Sequence, residues 1–155
     1  MKKEFMQKAI EIARKGMEND EGGPFGCVVV QDGSIIAEGN NSVTSSNDPT
    51  AHAEVVAIRN ACESLGTFQL TSCDIYTSCE PCPMCLGAIY WARPDRIFYA
   101  ATRHDAADAG FDDSFIYDEL QISDNERTIP TQSIERDAAV KLFETWKRKE
   151  NKTVY

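Results

Sequence analysis

The stretches HAEVV, residues 52–56, and CEPCPMC, residues 79–85, hold the side chains best equipped for chemistry. The chain has two histidines, and His52 is one of them. Three of its six cysteines, Cys79, Cys82 and Cys85, stand three apart. One imidazole and two thiolates, from His52, Cys82 and Cys85, make a zinc donor set. Cys82 and Cys85, at i and i+3, share one face of a first helical turn. Pro81 precedes them, where a helix start tolerates proline. The open amides and dipole of such a turn favour thiolate over thiol. His52 and Glu54, two apart, lie about 200° apart around a regular helix. Both reach one ion only if it sits beyond the helix end, so the site is predicted where two helix N-termini meet. Three ligands leave a fourth position for water, which is the catalytic arrangement of zinc. Glu54 is then the carboxylate beside that water and not a ligand.

Two plainer readings compete. Cys79 as a fourth ligand would close the site into a structural Cys3His staple. That leaves Glu54 without a role, and a domain of this size needs no staple. Cysteines as mere core fillers fit poorly with a C-x-x-C between prolines and beside Glu80.

The elements that must carry these residues follow from pattern. KKEFMQKAIEIARKGMEN places Phe5, Ala9, Ile12, Ala13 and Gly16 at helical spacing. GCVVVQDGSIIAEGN is a hairpin about Asp32-Gly33, a two-residue turn signal. PTAHAEVVAIRNACESLG is a helix with Pro49 and Thr50 at its start and Gly66 at its exit. CDIYTS is a short buried strand, PMCLGAIYWA a helix apolar almost all round and hence a core helix, and RIFYAA another strand. Helical stretches are predicted near 105–109 and 113–120. An edge strand is expected at 129–134, since Pro130 excludes a central one. A last helix follows, with a tail from Lys152 to Tyr155. This order predicts an α/β fold: a three-layer α/β/α sandwich about a central mixed sheet of about five strands. The expected organisation is a single domain over 1–155, with a polar connection at 118–137 and a C-terminal helix and tail at 138–155.

Composition narrows the function. The net charge of −9 over 155 residues repels phosphate backbones, so no nucleic-acid partner is expected. The first nineteen residues carry charges throughout, and no long apolar run suits a leader or a membrane span. A cytoplasmic protein with reduced thiols and no membrane partner is the expectation. Cys27, Cys62 and Cys73 read as ordinary thiols, and His104 as a solvated histidine.

H-x-E followed by P-C-x-x-C is the signature of zinc nucleobase deaminases. With His52-Ala53-Glu54 and Pro81-Cys82-Pro83-Met84-Cys85, the chain resembles the cytidine deaminase-like superfamily. GGPFGCVVV, NNSVTSSNDPTAHAE, SCEPCPMCLGAIYWARP, AGFDDSFIYDEL and the terminal Tyr155 resemble its small bacterial guanine deaminases. The resemblance implies hydrolysis of a small purine, guanine, to xanthine and ammonia with one Zn2+ per chain. Zinc lowers the pKa of its water to roughly 7, and Glu54 moves protons from that water to ring N3 and the leaving amine. Phe25, Asn41, Ala53, Trp91 and Tyr155 are the implied substrate-binding residues, and Asp113 the partner of the leaving amine. Each has a plainer alternative in the sequence: Phe25 a turn aromatic capping the core, Asn41 a turn residue, Trp91 core packing, Asp113 an N-cap. Runner-up activities are a guanosine deaminase and, more remotely, a cytosine or tRNA adenosine deaminase. A zinc-stabilised binding module is the non-enzymatic alternative.

Ala139, Leu142, Phe143 and Trp146 recur at i, i+3, i+4, i+7 in the last helix. Such a stripe must pack either on its own sheet or on a second subunit. The resemblance implies the latter: a homodimer with a swapped C-terminal segment, whose Tyr155 closes the partner's pocket.

Overall fold

The computed structural model describes residues 2–155, which divide between Asp113 and Ser114 into two compact units. In the first, helix α1 (Lys3–Glu18) leads into strands β1 (Gly26–Gln31) and β2 (Ser34–Asn40). A short helix α2 (Val43–Ser46), helix α3 (Ala53–Leu65), strand β3 (Cys73–Cys79), helix α4 (Pro83–Ala92), strand β4 (Arg96–Ala101) and helix α5 (Arg103–Asp108) follow.

The apolar periodicities are realised as expected. Helix α1 buries Phe5, Ala9, Ile12, Ala13 and Gly16, the predicted stripe. The hairpin closes through Asp32 and Gly33, both at positive φ (49° and 77°), the backbone a two-residue turn demands. The sheet order is β2-β1-β3-β4, antiparallel except for the parallel β3–β4 pair. It is therefore mixed, with four strands. The fifth, expected at 129–134, does not form. Pro130 supplies no N–H to a ladder, and Ile129 and Ile134 stay exposed without a strand beside them.

Alternation along the strands sorts the core into two faces. Val28, Val30 and Tyr76 pack with Phe5, Ala9 and Ile12 of α1. Cys27, Val29, Cys73 and Ile75 pack with Ala53, Ala57 and Ala61 of α3 and Ile89 and Ala92 of α4. These are the three α/β/α layers. Two glycines allow the helices to touch the sheet. A Cβ on Gly26 would collide with the α1 backbone at Ala9 and Ala13, and one on Gly39 with the α3 backbone at Ala53 and Ala57. The second contact presses the start of α3 onto β2 and so sets the depth of His52 and Glu54.

Helix α4 departs from its apolar reading. Only Cys85, Ile89 and Ala92 are buried, while Tyr90 (72%) and Trp91 (65%) are exposed beside Leu86. It is a one-sided helix, because only one face meets the sheet. It also starts at Pro83 with Cys82 as N-cap, so Pro83 and not Pro81 fills the first helical position. Helix α3 likewise begins later than read: residues 49–52 form a turn in which the Asp48 carboxylate accepts from Thr50, and His52 is the N-cap.

The second unit holds α6 (Ser114–Glu119), a 3-10 turn (Asp124–Glu126) and α7 (Arg136–Arg148). It contains no buried residue. The α7 stripe is formed as read, but Leu142 and Phe143 are about 70% exposed. Among the described residues no helix is long and apolar enough to cross a membrane.

Candidate active site

Strand β3 ends at Cys79, and α4 begins four residues later; His52 caps α3 close by. Two helix N-termini thus converge, as the spacing required. The His52 side chain makes no capping bond, so its ring is left for other work. Its Nδ1 lies 3.4 Å from Cys85 Sγ and 3.6 Å from Cys82 Sγ. With metal–sulfur bonds of about 2.3 Å and metal–nitrogen bonds of about 2.0–2.1 Å, a tetrahedral N···S edge is about 3.6 Å. The three donor atoms lie within 4.8 Å of one another, and two thiolates with an imidazole are the soft donor set zinc takes. The residues present fit the ion.

Electrostatics agree with that use. A hydrogen bond from Cys85, and then the His52 ring, hold the Cys82 thiol down to about 4. Cys85 is pushed far up, chiefly by its bond to Cys82 and by burial. The bond to Cys82 raises His52. Two thiols and a ring sharing few protons are a site that a divalent cation settles by taking both sulfurs as thiolates.

Cys79 is not part of this group. Its Sγ turns to the Thr102 carbonyl at 3.6 Å, and burial raises its thiol to about 11. Cys79 is therefore not grouped with the other donors, and His52, Cys82 and Cys85 are the three that would hold the ion.

Glu54 sits beside the donors and is 5% exposed. Its Oε2 accepts from Cys85 Sγ at 3.3 Å and its Oε1 from Thr77 Oγ1 at 2.9 Å. Burial raises its carboxyl. A carboxylate held at the edge of a metal site, one oxygen facing the metal ligands, is placed to exchange protons with a water there.

The surrounding residues gather on one side of the sheet. Asn41 is buried, and its Oδ1 accepts from the Gly23 and Val43 amides at 3.2 Å each, which fixes the side chain and leaves Nδ2 as a donor. Ser42 donates to the Ala51 carbonyl, one residue from His52, so this loop borders the metal ligand. Phe25 packs on the core and also meets Phe111 edge-on, with centroids 5.0 Å apart. That contact carries the 111–113 segment back to the site. Asp113 is half-buried, and its carboxyl is raised by burial and then by the charge of Cys82. Ala53, fully buried, is the first residue of α3. Trp91 is not brought to this group: nine residues after Cys82, it stands about 13 Å along the helix axis. Tyr155 belongs to the second unit and is exposed.

Two contributors escaped the sequence reading. Phe111 was invisible because its partner Phe25 is 86 residues away in the chain. Thr77 left a faint signal, a hydroxyl on a strand face that is otherwise apolar.

Residues 1–101 match the family described as the cytidine and deoxycytidylate deaminase zinc-binding region. The chain is similar to the guanine deaminase of Bacillus subtilis, 58% identical over 151 residues and 97% of both chains. The X-ray structure of guanine deaminase from Bacillus subtilis superposes with a TM-score of 0.97, at 56% identity over 100% of this chain and 99% of that one. Similarity to the tRNA-specific adenosine deaminase of Agrobacterium fabrum is 47% over 97 residues, 63% of each chain.

Proposed function

The chain belongs to the cytidine and deoxycytidylate deaminase family, and on that premise we propose that it hydrolyses guanine to xanthine and ammonia. One observation carries the choice of base. The likeness to a guanine deaminase structure covers 100% of this chain, whereas the likeness to a tRNA adenosine deaminase covers 97 residues.

His52, Cys82 and Cys85 hold one zinc ion per chain, which when bound activates a water at neutral pH. Glu54 takes that water's proton and delivers it to ring N3 as oxygen bonds to C2. Glu54 then carries the proton of the new C2 hydroxyl to the C2 amine, which leaves as ammonia as the C2 carbonyl forms. Asn41 Nδ2 donates to the base edge, and Phe25 flanks the ring. The Ala53 backbone, at the open end of α3, supports the base. Asp113 accepts from the departing amine. A dry pocket favours these transfers, because guanine is a poor electrophile at C2 and depends on positioning.

The active unit is a homodimer whose C-terminal segment crosses to the partner, placing Tyr155 over the partner's base. Supporting this are the exposed apolar faces of α4 (Leu86, Tyr90, Trp91) and α7 (Leu142, Phe143, Trp146). Aromatics bury about 150–250 Å² each when covered, which favours association. Trp91 joins the pocket only across such an interface. The cytoplasm suits a protein whose six cysteines are all free thiols.

Ammonia release from a panel of guanine, guanosine, cytosine, cytidine and adenine tests the reading. Guanine is expected to be turned over, guanosine not, for want of room at N9. Glu54→Gln should keep zinc and fold yet lose about 10²- to 10⁴-fold in kcat. Faster turnover of guanosine than guanine would replace the proposed substrate.

A further inference from the structure

Thr77 occupies a position built for an apolar side chain. It lies in β3, a central strand paired with Cys27 of β1 and Tyr99 of β4. It points to the same sheet face as Cys73, Ile75 and Cys79, where α3 and α4 pack. It is 1% exposed. Valine has nearly its shape and would carry no polar atom there. A buried hydroxyl costs free energy unless hydrogen-bonded. Among the described residues, the one side-chain partner of this hydroxyl is Glu54 Oε1, at 2.9 Å.

That bond decides which oxygen of Glu54 works. A glutamate side chain has three rotatable bonds, and burial alone does not choose among its rotamers. The platform on which Thr77 sits is rigid, because β3 is hydrogen-bonded on both edges. Oε1 is thus tied to the sheet, and Oε2 is turned to the donor cluster, where it accepts from Cys85 at 3.3 Å. Cys85 has no proton to give once it serves as a thiolate ligand. Oε2 is then the oxygen released to accept one, while Oε1 keeps the Thr77 bond. We propose that Thr77 is a positioning residue: its hydroxyl holds Oε1 of Glu54, so that Oε2 carries the proton between water and base. The proposal rests on the deaminase reading above.

The test compares zinc-loaded wild type, Thr77→Val, Thr77→Ser and Thr77→Ala. Each is assayed on whichever base of the panel the wild type turns over fastest, with zinc content and Tm measured alongside. In Thr77→Val, kcat should fall about 10- to 100-fold, the factor that one hydrogen bond to a charged group is worth. KM should stay within about twofold, since substrate binding is not its task. Zinc should remain at one per chain, and Thr77→Ser should recover most of kcat. In a Glu54→Gln background, Thr77→Val should cost little more, because the two act as one unit. Should Thr77→Val fail to fold, the same contrast is read between Thr77→Ala and Thr77→Ser, per zinc bound. Unchanged kcat in Thr77→Val, a slow Thr77→Ser, or loss of kcat in proportion to zinc would overturn the proposal. Failure of the guanine reading would show differently, as a wild type that prefers another base of the panel. A wild type that turns over none of them overturns both.

Discussion

In the first unit Tyr76 stacks on Phe98 with centroids 4.6 Å apart and meets Phe5 edge-on at 5.4 Å. Among its described residues every buried side-chain N or O has a hydrogen-bond partner. In the second unit Phe115, Leu142 and Phe143 stand more than half exposed. The sequence gives α7 the same helical periodicity that α1 has, yet α1 buries its stripe and α7 does not. Periodicity states that a face seeks burial; it does not say against what. The first unit answers within itself, and its metal site inherits that rigidity. The second leaves the apolar face of α7, with Leu142, Phe143 and Trp146, exposed.

The contrast breaks first at the metal. Cys82→Ser should lose zinc and activity together, while Cys79→Ser keeps zinc and most turnover; metal content and ammonia release read both. Zinc loss in Cys79→Ser would mean that the site is closed after all.

The second unit is expected to matter for turnover but not for zinc. Removing residues 152–155 should reduce ammonia release by about tenfold or more, the factor expected when a pocket loses its cover and admits water. Zinc should stay bound. On the proposed swap, mixing that chain with Glu54→Ala under subunit exchange should restore activity, since one site in the mixed dimer would be complete. No recovery despite confirmed exchange would place the tail over its own subunit and sink the swap.

Asp113, the last residue of the first unit, separates a reacting group from a cap. Asp113→Asn should lower guanine turnover with little change in Tm. A large fall in Tm at normal turnover would identify it as an N-cap of α6.

The smallest effect compares two capping boxes, one in each unit. Thr102 and Asp105 cap α5, and Ser123 and Glu126 cap the 3-10 turn. Hydrogen bonds from Thr102 and Ser123 hold these carboxyls below their ordinary values of 3.8 and 4.5. A depressed value stabilises the fold above the unfolded pKa, and the gain is lost as pH falls through the folded one. Asp105→Asn and Glu126→Gln should therefore each lower Tm slightly at neutral pH, and the gap should close in acid, below 3.8 and 4.5 respectively. Thermal melts across that range read it. Asp105→Asn should also slow turnover modestly, because α5 leads into the segment that carries Asp113; Glu126→Gln should not.

Much of the site was legible because its parts are local. A histidine at a helix cap, a glutamate two residues on, and cysteines three apart obtain their geometry from one helical turn each, so residue type and spacing suffice to pick out the three donors that the structure brings together. The hairpin was legible for the same reason: Asp-Gly dictates a turn by its own backbone preferences. The residues that complete the site owe their place to other strands and loops. Thr77 reaches Glu54 across 23 residues, Asn41 is fixed by an amide 18 residues back, and Phe111 closes on Phe25. The missing fifth strand and the open face of α4 belong to the same class. Whether a strand finds an edge, or an apolar helix face finds a cover, depends on which surfaces the chain brings opposite each other. Composition and periodicity record only how much each surface gains from being covered.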